Sequence, residues 1–383
     1  MLVVLNKMPT PYRTAFFDVL YEESTRIGVS FRVLYCAQTE PDRHWAYEPE
    51  KMHHPFTMMR GFHPSFTGLH AHINPAILSE LNRLKPDTLI VAGAWNTPTM
   101  LLAGWDPLSS SKRKIFWSEG HADAVLNRGG VIAWARRVAY RLYDGYAVPN
   151  QLSAEWALAQ AGESRPLYDL PNSIDASYYA KPDENIRQEA RLKLGLKAQT
   201  RALVQVSSLT QRKGVVDLAK AFIGLPADER RGARLFFVGS GDRETEIRSL
   251  AASSGGAIQL LGQLPPDEVR QTLWAADGFI LNTRLDPNPL SVIEAAAAGL
   301  PIALSKFAGN IGEVVTRPGA GFVISDPSNP ADALREMLAS TDQELEQMGR
   351  RAAEVARNQF DTRAVARLLL RQLYKARVHN YTS

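Results

Sequence analysis

Short apolar runs rich in β-branched and aromatic residues recur along this chain with amphipathic stretches between them, and the scheme occurs twice. In the first half the runs are 2–5, 31–35, 88–91, 115–117 and 145–148. In the second they are 202–206, 234–238, 258–261, 278–281, 301–304 and 321–323. Strands alternating with helix-length segments read as βα units, and each series predicts one parallel, doubly wound sheet. The fold class expected is therefore α/β, with two Rossmann-like domains facing each other across a deep cleft. A polar, turn-rich stretch around Ala180-Lys-Pro-Asp-Glu184 separates the two series. The expected division is residues 1–176, residues 177–363, and a closing Leu- and Arg-rich helix over 364–383 that crosses back to the first domain.

A length of 383 residues with 45% hydrophobic content supports two full cores. The 22% charged fraction and the scattered Gly and Pro exclude a disordered, collagen-like or coiled-coil protein. The single cysteine, Cys36, lies in an apolar run, reads as a buried strand residue and suits a reducing compartment. The opening run is too short for the apolar core of a signal peptide, and no run of about 18 apolar residues occurs. A cytoplasmic protein, soluble or peripheral at the inner face of the membrane, is expected. The net charge of +4 is mild, and no nucleic-acid partner is expected.

The chemistry is concentrated in the second half. In Asn282-Thr-Arg-Leu-Asp286-Pro-Asn288-Pro289-Leu290-Ser291-Val-Ile-Glu294, a strand ends near Leu281 and a helix begins close to Pro289, with Gly299 placed to stop it. The free N–H groups near Leu290 and Ser291, at the positive end of the helix dipole, form a site for a diphosphate. Glu294, one turn further in, is positioned to accept hydrogen bonds from ribose hydroxyls, and Asp286 from sugar hydroxyls. A second phosphate feature follows the first strand of this half, Val206-Ser-Ser-Leu-Thr-Gln-Arg212-Lys213-Gly214. Here an Arg-Lys pair and a glycine stand where ligands of doubly wound sheets bind.

These segments resemble family 4 of the glycosyltransferases, the group 1 transferases. The resemblance implies a GT-B fold, a nucleotide diphosphate sugar as donor (a UDP- or GDP-sugar), and transfer with retention of anomeric configuration. By that resemblance Arg212 and Lys213 bind the donor diphosphate, alongside Asn288, Pro289, Leu290, Ser291 and Gly241. The two acidic residues spaced by seven are Asp286 and Glu294 here, followed by the Ala-rich helix and Gly299-Leu-Pro301; the first is Asp where relatives carry Glu. Pro171-Asn-Ser-Ile-Asp175, Val238-Gly-Ser-Gly241 and Ala308-Gly-Asn310-Ile-Gly-Glu313 match further family signals, the last with Asn310 in place of a glycine. A dinucleotide fingerprint at Gly241 lacks its third glycine. No Asp-x-Asp triplet and no His/Cys cluster at metal-ligand spacing occurs, so no metal and no cofactor are expected, and the leaving-group charge falls to Arg212, Lys213 and the helix start.

The first half supplies the acceptor side. Glu119 and His121 follow the run 115–117 and are candidates for catalytic contact with the transferred sugar, together with Asp286. The opening loop places Tyr12 and Arg13 beside the acceptor, and its Pro-Tyr-Arg resembles bacterial members acting on surface-polysaccharide intermediates. Trp95 and Asn96 follow the run 88–91; Trp95 either stacks on a sugar face or plugs the core. The stretch 128–143 combines Trp134, Tyr140 and Tyr143 with several arginines. It reads either as a peripheral membrane contact for a lipid-linked acceptor or as an ordinary packing helix. The expected function is transfer of a hexose to a sugar or lipid-linked acceptor in polysaccharide, lipopolysaccharide or glycolipid assembly. A sugar-nucleotide epimerase or hydrolase of the same fold and a non-catalytic sugar-binding or scaffolding protein are the alternatives.

Overall fold

The structure is a computed structural model and describes residues 1–40, 47–66, 69–108, 110–122 and 129–375. The chain divides into two compact units, Met1–Ser173 together with the segment from Thr362 onward, and Ile174–Asp361.

The first unit opens with β1 (Leu2–Asn6), α1 (Pro11–Arg26), β2 (Phe31–Tyr35), β3 (Phe56–Met58) and the two-residue strands β4 (Ser65–Phe66) and β5 (Leu69–His70). It continues through α2 (Ile77–Leu84), β6 (Thr88–Ala92), α3 (Pro98–Trp105), β7 (Lys114–Trp117), α4 (Gly130–Arg141), β8 (Gly145–Val148), α5 (Gln151–Ala161) and β9 (Leu167–Asp169). The second unit carries α6 (Ala176–Tyr179), α7 (Glu184–Lys193), β10 (Ala202–Val206), α8 (Val215–Gly224), α9 (Ala227–Arg230), β11 (Arg234–Val238), α10 (Glu244–Ser253) and β12 (Ile258–Gly262). After these come α11 (Pro266–Ala275), β13 (Gly278–Leu281), α12 (Leu290–Ala297), β14 (Ile302–Ser305), β15 (Gly321–Ile324), α13 (Ala331–Ala339) and α14 (Asp342–Val355). Helix α15 (Thr362–Leu373) belongs to the first unit.

Both large sheets are parallel. Their orders are β3-β2-β1-β6-β7-β8-β9 and β12-β11-β10-β13-β14-β15. In each, the order reverses beside the first strand, between β1 and β6 and between β10 and β13, and loops leaving the carboxyl ends of such strand pairs form ligand crevices. Alternate strand residues enter opposite cores. Val204, Phe236, Phe279 and Ile302 pack under α12, while Leu203, Phe237, Ile280 and Ala303 pack with Phe222 of α8 and Met337 of α13. With both faces covered, every residue of β1, β6 and β13 is buried, which is why these strands read as unbroken apolar runs.

Each apolar run predicted from the sequence is a strand to within one residue at either end. The sheet-edge strands β3 and β9 and the β4–β5 hairpin were not predicted. They are two or three residues long, and β3 is only half-buried, so they carry little apolar signal. Helix α15 buries Val365, Leu369, Leu370 and Leu373 against Phe16, Phe17 and Leu20 of α1. Arg363 and Arg367 meet Glu23 of α1 at 2.5 and 2.9 Å.

Candidate functional site

In the second unit the loops after β10 and β13 are bonded to each other. Gln211–Lys213 forms a single 3-10 turn, and Gly214 then takes a left-handed conformation (φ 60°) as the cap of α8. A Cβ there would lie 2.1 Å from the carbonyl oxygen of Asn282, so this contact requires glycine. Asn282, fully buried, donates from Nδ2 to the carbonyls of Gly214 (3.0 Å) and Pro327 (2.8 Å). The Arg284 N–H donates to the Arg212 carbonyl (2.7 Å), and the Arg212 guanidinium donates to the carbonyl of Leu285 (2.7 Å). The Lys213 ammonium is ion-paired with the Asp286 carboxylate, and both residues are buried. The Asp286 backbone is fixed in turn, its N–H to Phe307 (3.2 Å) and its carbonyl accepting from Gly309 (2.8 Å).

Helix α12 starts directly after this pair, with Pro289 at its N-cap and Leu290 and Ser291 in its first turn. The carbonyl of Pro289 accepts from Nδ2 of the buried Asn310 at 3.3 Å, so the residue standing in place of a glycine holds the start of the helix. Asn288 is half-buried, and its N–H faces Asp286 Oδ1 at 3.4 Å. Glu294 accepts a hydrogen bond from the Tyr179 hydroxyl at 3.0 Å. Burial pushes the Glu294 carboxyl above the usual glutamate range, against the Tyr179 bond, which lowers it. Beside β10, a Cβ at Gly241 would sit 2.4 Å from the Leu209 carbonyl oxygen, so Gly241 serves the close approach of two loop backbones.

The predicted donor-side residues thus gather on three loops and one helix start at the carboxyl ends of β10, β11 and β13. Sequence reasoning missed Asn282 and Tyr179, whose roles come from partners distant in sequence. It also treated Lys213 and Asp286 as two separate ligand contacts, whereas each is the other's partner.

In the first unit a cavity of about 410 Å³ opens at the carboxyl ends of β1, β6 and β7. Tyr12, Arg13, Trp95 and Glu119 line it. Arg13 donates to Asn6 Oδ1 (2.9 Å) and Glu119 Oε1 (3.1 Å), and its guanidinium lies 4.2 Å from the centre of the Trp117 ring. Trp95 both lines the cavity and touches the core, so the two readings of it coexist. Asn96 is exposed and His121 is buried, and both lie outside that lining. In the stretch 128–143, Arg128 lies outside the described residues. Arg136, Tyr140 and Tyr143 are buried rather than presented to a surface: Arg136 bonds Gln160 (3.0 Å), and both tyrosines pack on Phe116. Among the described residues no group of three or more His, Cys, Asp or Glu is placed to hold a metal ion, and no helix is long and apolar enough to cross a membrane.

Two parallel doubly wound domains, the second with a helix start and a basic loop at its switch point, define the GT-B class of α/β proteins. Residues 186–355, within the second unit, match the family model described as "Glycosyl transferases group 1". Over 248 residues the chain is 32% identical to the GDP-mannose-dependent monoacylated alpha-(1-6)-phosphatidylinositol monomannoside mannosyltransferase of Corynebacterium glutamicum, covering 63% of this chain and 64% of that protein. Over 160 residues it is 29% identical to the lipopolysaccharide glucosyltransferase WaaG of Escherichia coli, covering 42% of each. The chain therefore spans less than two thirds of the length of these curated relatives. Among solved structures it is similar in fold to Anabaena HepE in complex with UDP (TM-score 0.76, 18% identity, 98% of this chain and 99% of that one).

Proposed function

We propose that this protein is a retaining glycosyltransferase that moves a hexose from a UDP- or GDP-sugar to an acceptor hydroxyl in polysaccharide or glycolipid assembly. The observation that carries the reading is the Lys213–Asp286 pair directly ahead of the α12 helix start, at the point where the strand order of the second sheet reverses. Cationic side chains and first-turn N–H groups there are suited to a diphosphate, and Glu294 to the ribose. The relatives act on lipid-linked or lipopolysaccharide acceptors by their names, and HepE was crystallised with UDP and with UDP-glucose.

In this reading the acceptor hydroxyl attacks the anomeric carbon on the face from which the diphosphate leaves, and the departing phosphate takes the proton. Arg212, Lys213 and the helix N–H groups stabilise the leaving charge without a metal, and Asp286, Glu119 and His121 act on the sugar. The acceptor occupies the first unit, near Tyr12, Arg13, Trp95 and Asn96. Helix α4 docks on an anionic membrane. It exposes Val131, Trp134 and Val138 along one face with Arg137 and Arg141 beside them, and it contains no acidic residue.

Thermal stabilisation of the purified protein across uridine, guanosine and adenosine diphosphate sugars tests the donor site. One donor class is expected to stabilise it, by about 2.7 kcal/mol at a hundredfold excess over Kd, and Glu294→Ala to abolish the effect. Absence of stabilisation by every donor refutes the reading. Product analysis by NMR then reads the anomeric configuration, and donor conversion without acceptor identifies an epimerase or hydrolase instead.

A further inference from the structure

Glu294 carries the proposed ribose contact, and its side chain is not free to swing. It stands half-buried on α12, and its Oε1 accepts from the Tyr179 hydroxyl at 3.0 Å. Burial and the adjoining carboxylate push the Tyr179 phenol above the ordinary tyrosine value, so the hydroxyl keeps its proton and remains a donor. A carboxylate accepts through both oxygens, and a bond that occupies Oε1 orients Oε2 as well. An unheld glutamate turns about several torsions and would have to surrender that freedom when a ligand arrives.

Tyr179 is itself anchored. It ends α6, a single helical turn capped by Asp175, whose Oδ1 accepts from the N–H groups of Ser177 and Tyr178 at 3.0 Å each. The Trp274 indole N–H, from α11, donates to the Tyr179 carbonyl at 3.0 Å and fixes the backbone from which the phenol projects. The Tyr178 ring meets the Tyr179 ring edge-on, with 5.0 Å between centres. The Arg270 guanidinium lies over both the Tyr178 ring (4.0 Å) and the Trp274 ring (4.7 Å). Asp267 pairs with Arg270 at 3.0 Å and accepts from the Tyr178 hydroxyl at 2.6 Å. All of these groups belong to the second unit, and together they hold one hydroxyl against one carboxylate oxygen.

We infer that Tyr179 is a positioning residue of the donor site: its hydroxyl holds the Glu294 carboxylate in the orientation that accepts from the ribose hydroxyls, and Tyr178, Arg270 and Trp274 hold Tyr179. The inference rests on the donor reading above and adds to that site a residue from outside its loops.

Calorimetry on the full chain with uridine and guanosine diphosphates, each beside its 2′,3′-dideoxy form, tests it. The dideoxy ligands keep the base and the diphosphate and lack only the hydroxyls assigned to Glu294. The wild type is expected to bind the ribose form of one nucleotide about tenfold more tightly than its dideoxy form. Tyr179→Phe, which keeps the ring, is expected to narrow that preference about three- to tenfold by weakening the ribose form alone, and Trp274→Phe to narrow it less. A purely structural role would weaken both forms together, because displaced loops would lose the diphosphate too. Should Tyr179→Phe fail to fold, the smaller narrowing in Trp274→Phe decides. An unchanged preference, or an equal loss on both forms, overturns the inference and leaves the donor reading standing. Equal binding of both forms by the wild type overturns it together with the ribose role of Glu294, and binding of neither nucleotide overturns the donor reading itself.

Discussion

The ammonium of Lys213 and the carboxylate of Asp286 form a buried ion pair that ties the loop leaving β10 to the loop leaving β13. The pair makes the candidate donor site part of the fold, so substitutions there act on stability and on binding together. Removing Lys213 alone strands a buried carboxylate, a loss of about 3–5 kcal/mol. Lys213→Ala is therefore expected to be markedly less stable in denaturant unfolding, and the double variant Lys213→Ala, Asp286→Ala less affected than the sum of the single changes. Both are expected to lose donor stabilisation. Strict additivity in the double-mutant cycle would show that the pair contributes nothing to the fold.

Glu294 gives a pH prediction. Its carboxyl binds a proton more readily in the folded chain than the ordinary value of 4.5, because it is buried. Stability contributed by this residue is therefore full below about 4.5 and declines as the pH rises through the elevated folded value. Glu294→Gln is expected to flatten that decline, so its melting temperature gains on the wild type as the solution goes from acid to neutral. Tyr179→Phe, which removes the bond favouring the carboxylate, is expected to steepen it. A pH series of melting curves that is parallel for all three proteins would refute this.

Glu23 has the opposite sign. Burial works to raise its pKa, but hydrogen bonds from Arg367 and Arg363 prevail and hold it below the usual range. The stability it supplies is present above the ordinary glutamate value and is lost as the pH falls through the depressed one. Glu23→Gln is expected to cost about 1–3 kcal/mol at neutral pH and to speed amide exchange over 362–373, while exchange in α12 stays unchanged.

The exposed face of α4 predicts membrane binding. Trp134 is 65% and Val131 79% exposed, so replacing both with Glu is expected to change stability by no more than about 0.5 kcal/mol. The same change is expected to abolish co-sedimentation with anionic vesicles. Undiminished sedimentation would assign the face to another role.

At the strand end before the donor loops, Gly239 has φ 132°, and a Cβ there would lie 2.0 Å from the Ser207 carbonyl oxygen. Gly239→Ala is expected to distort the β10–β11 loop contact and sharply lower soluble yield. Wild-type yield and melting temperature would contradict that.

The sequence alone determined the two series of strands and the helix start at Leu290, because burial on both sheet faces demands unbroken apolar runs and a helix start demands its own local residues. It likewise brought Arg212, Lys213, Asp286 and Glu294 into view, since strand ends and their loops lie adjacent in the chain. Only the tertiary structure decided which of these meet. Lys213 and Asp286 are 73 residues apart and Tyr179 and Glu294 are 115 apart, and no local periodicity encodes such pairs. The same holds for the contacts of Glu40 with Lys7 and His72: Lys7 and Glu40 follow the parallel strands β1 and β2, and His72 follows the antiparallel β4–β5 hairpin. On α4, composition suggested an arginine- and aromatic-rich surface, and packing divided it. Arg136 and Tyr140 turn inward to Gln160 and Phe116, while Trp134 stays outside, because a helix face is buried or exposed according to the neighbours that the fold supplies.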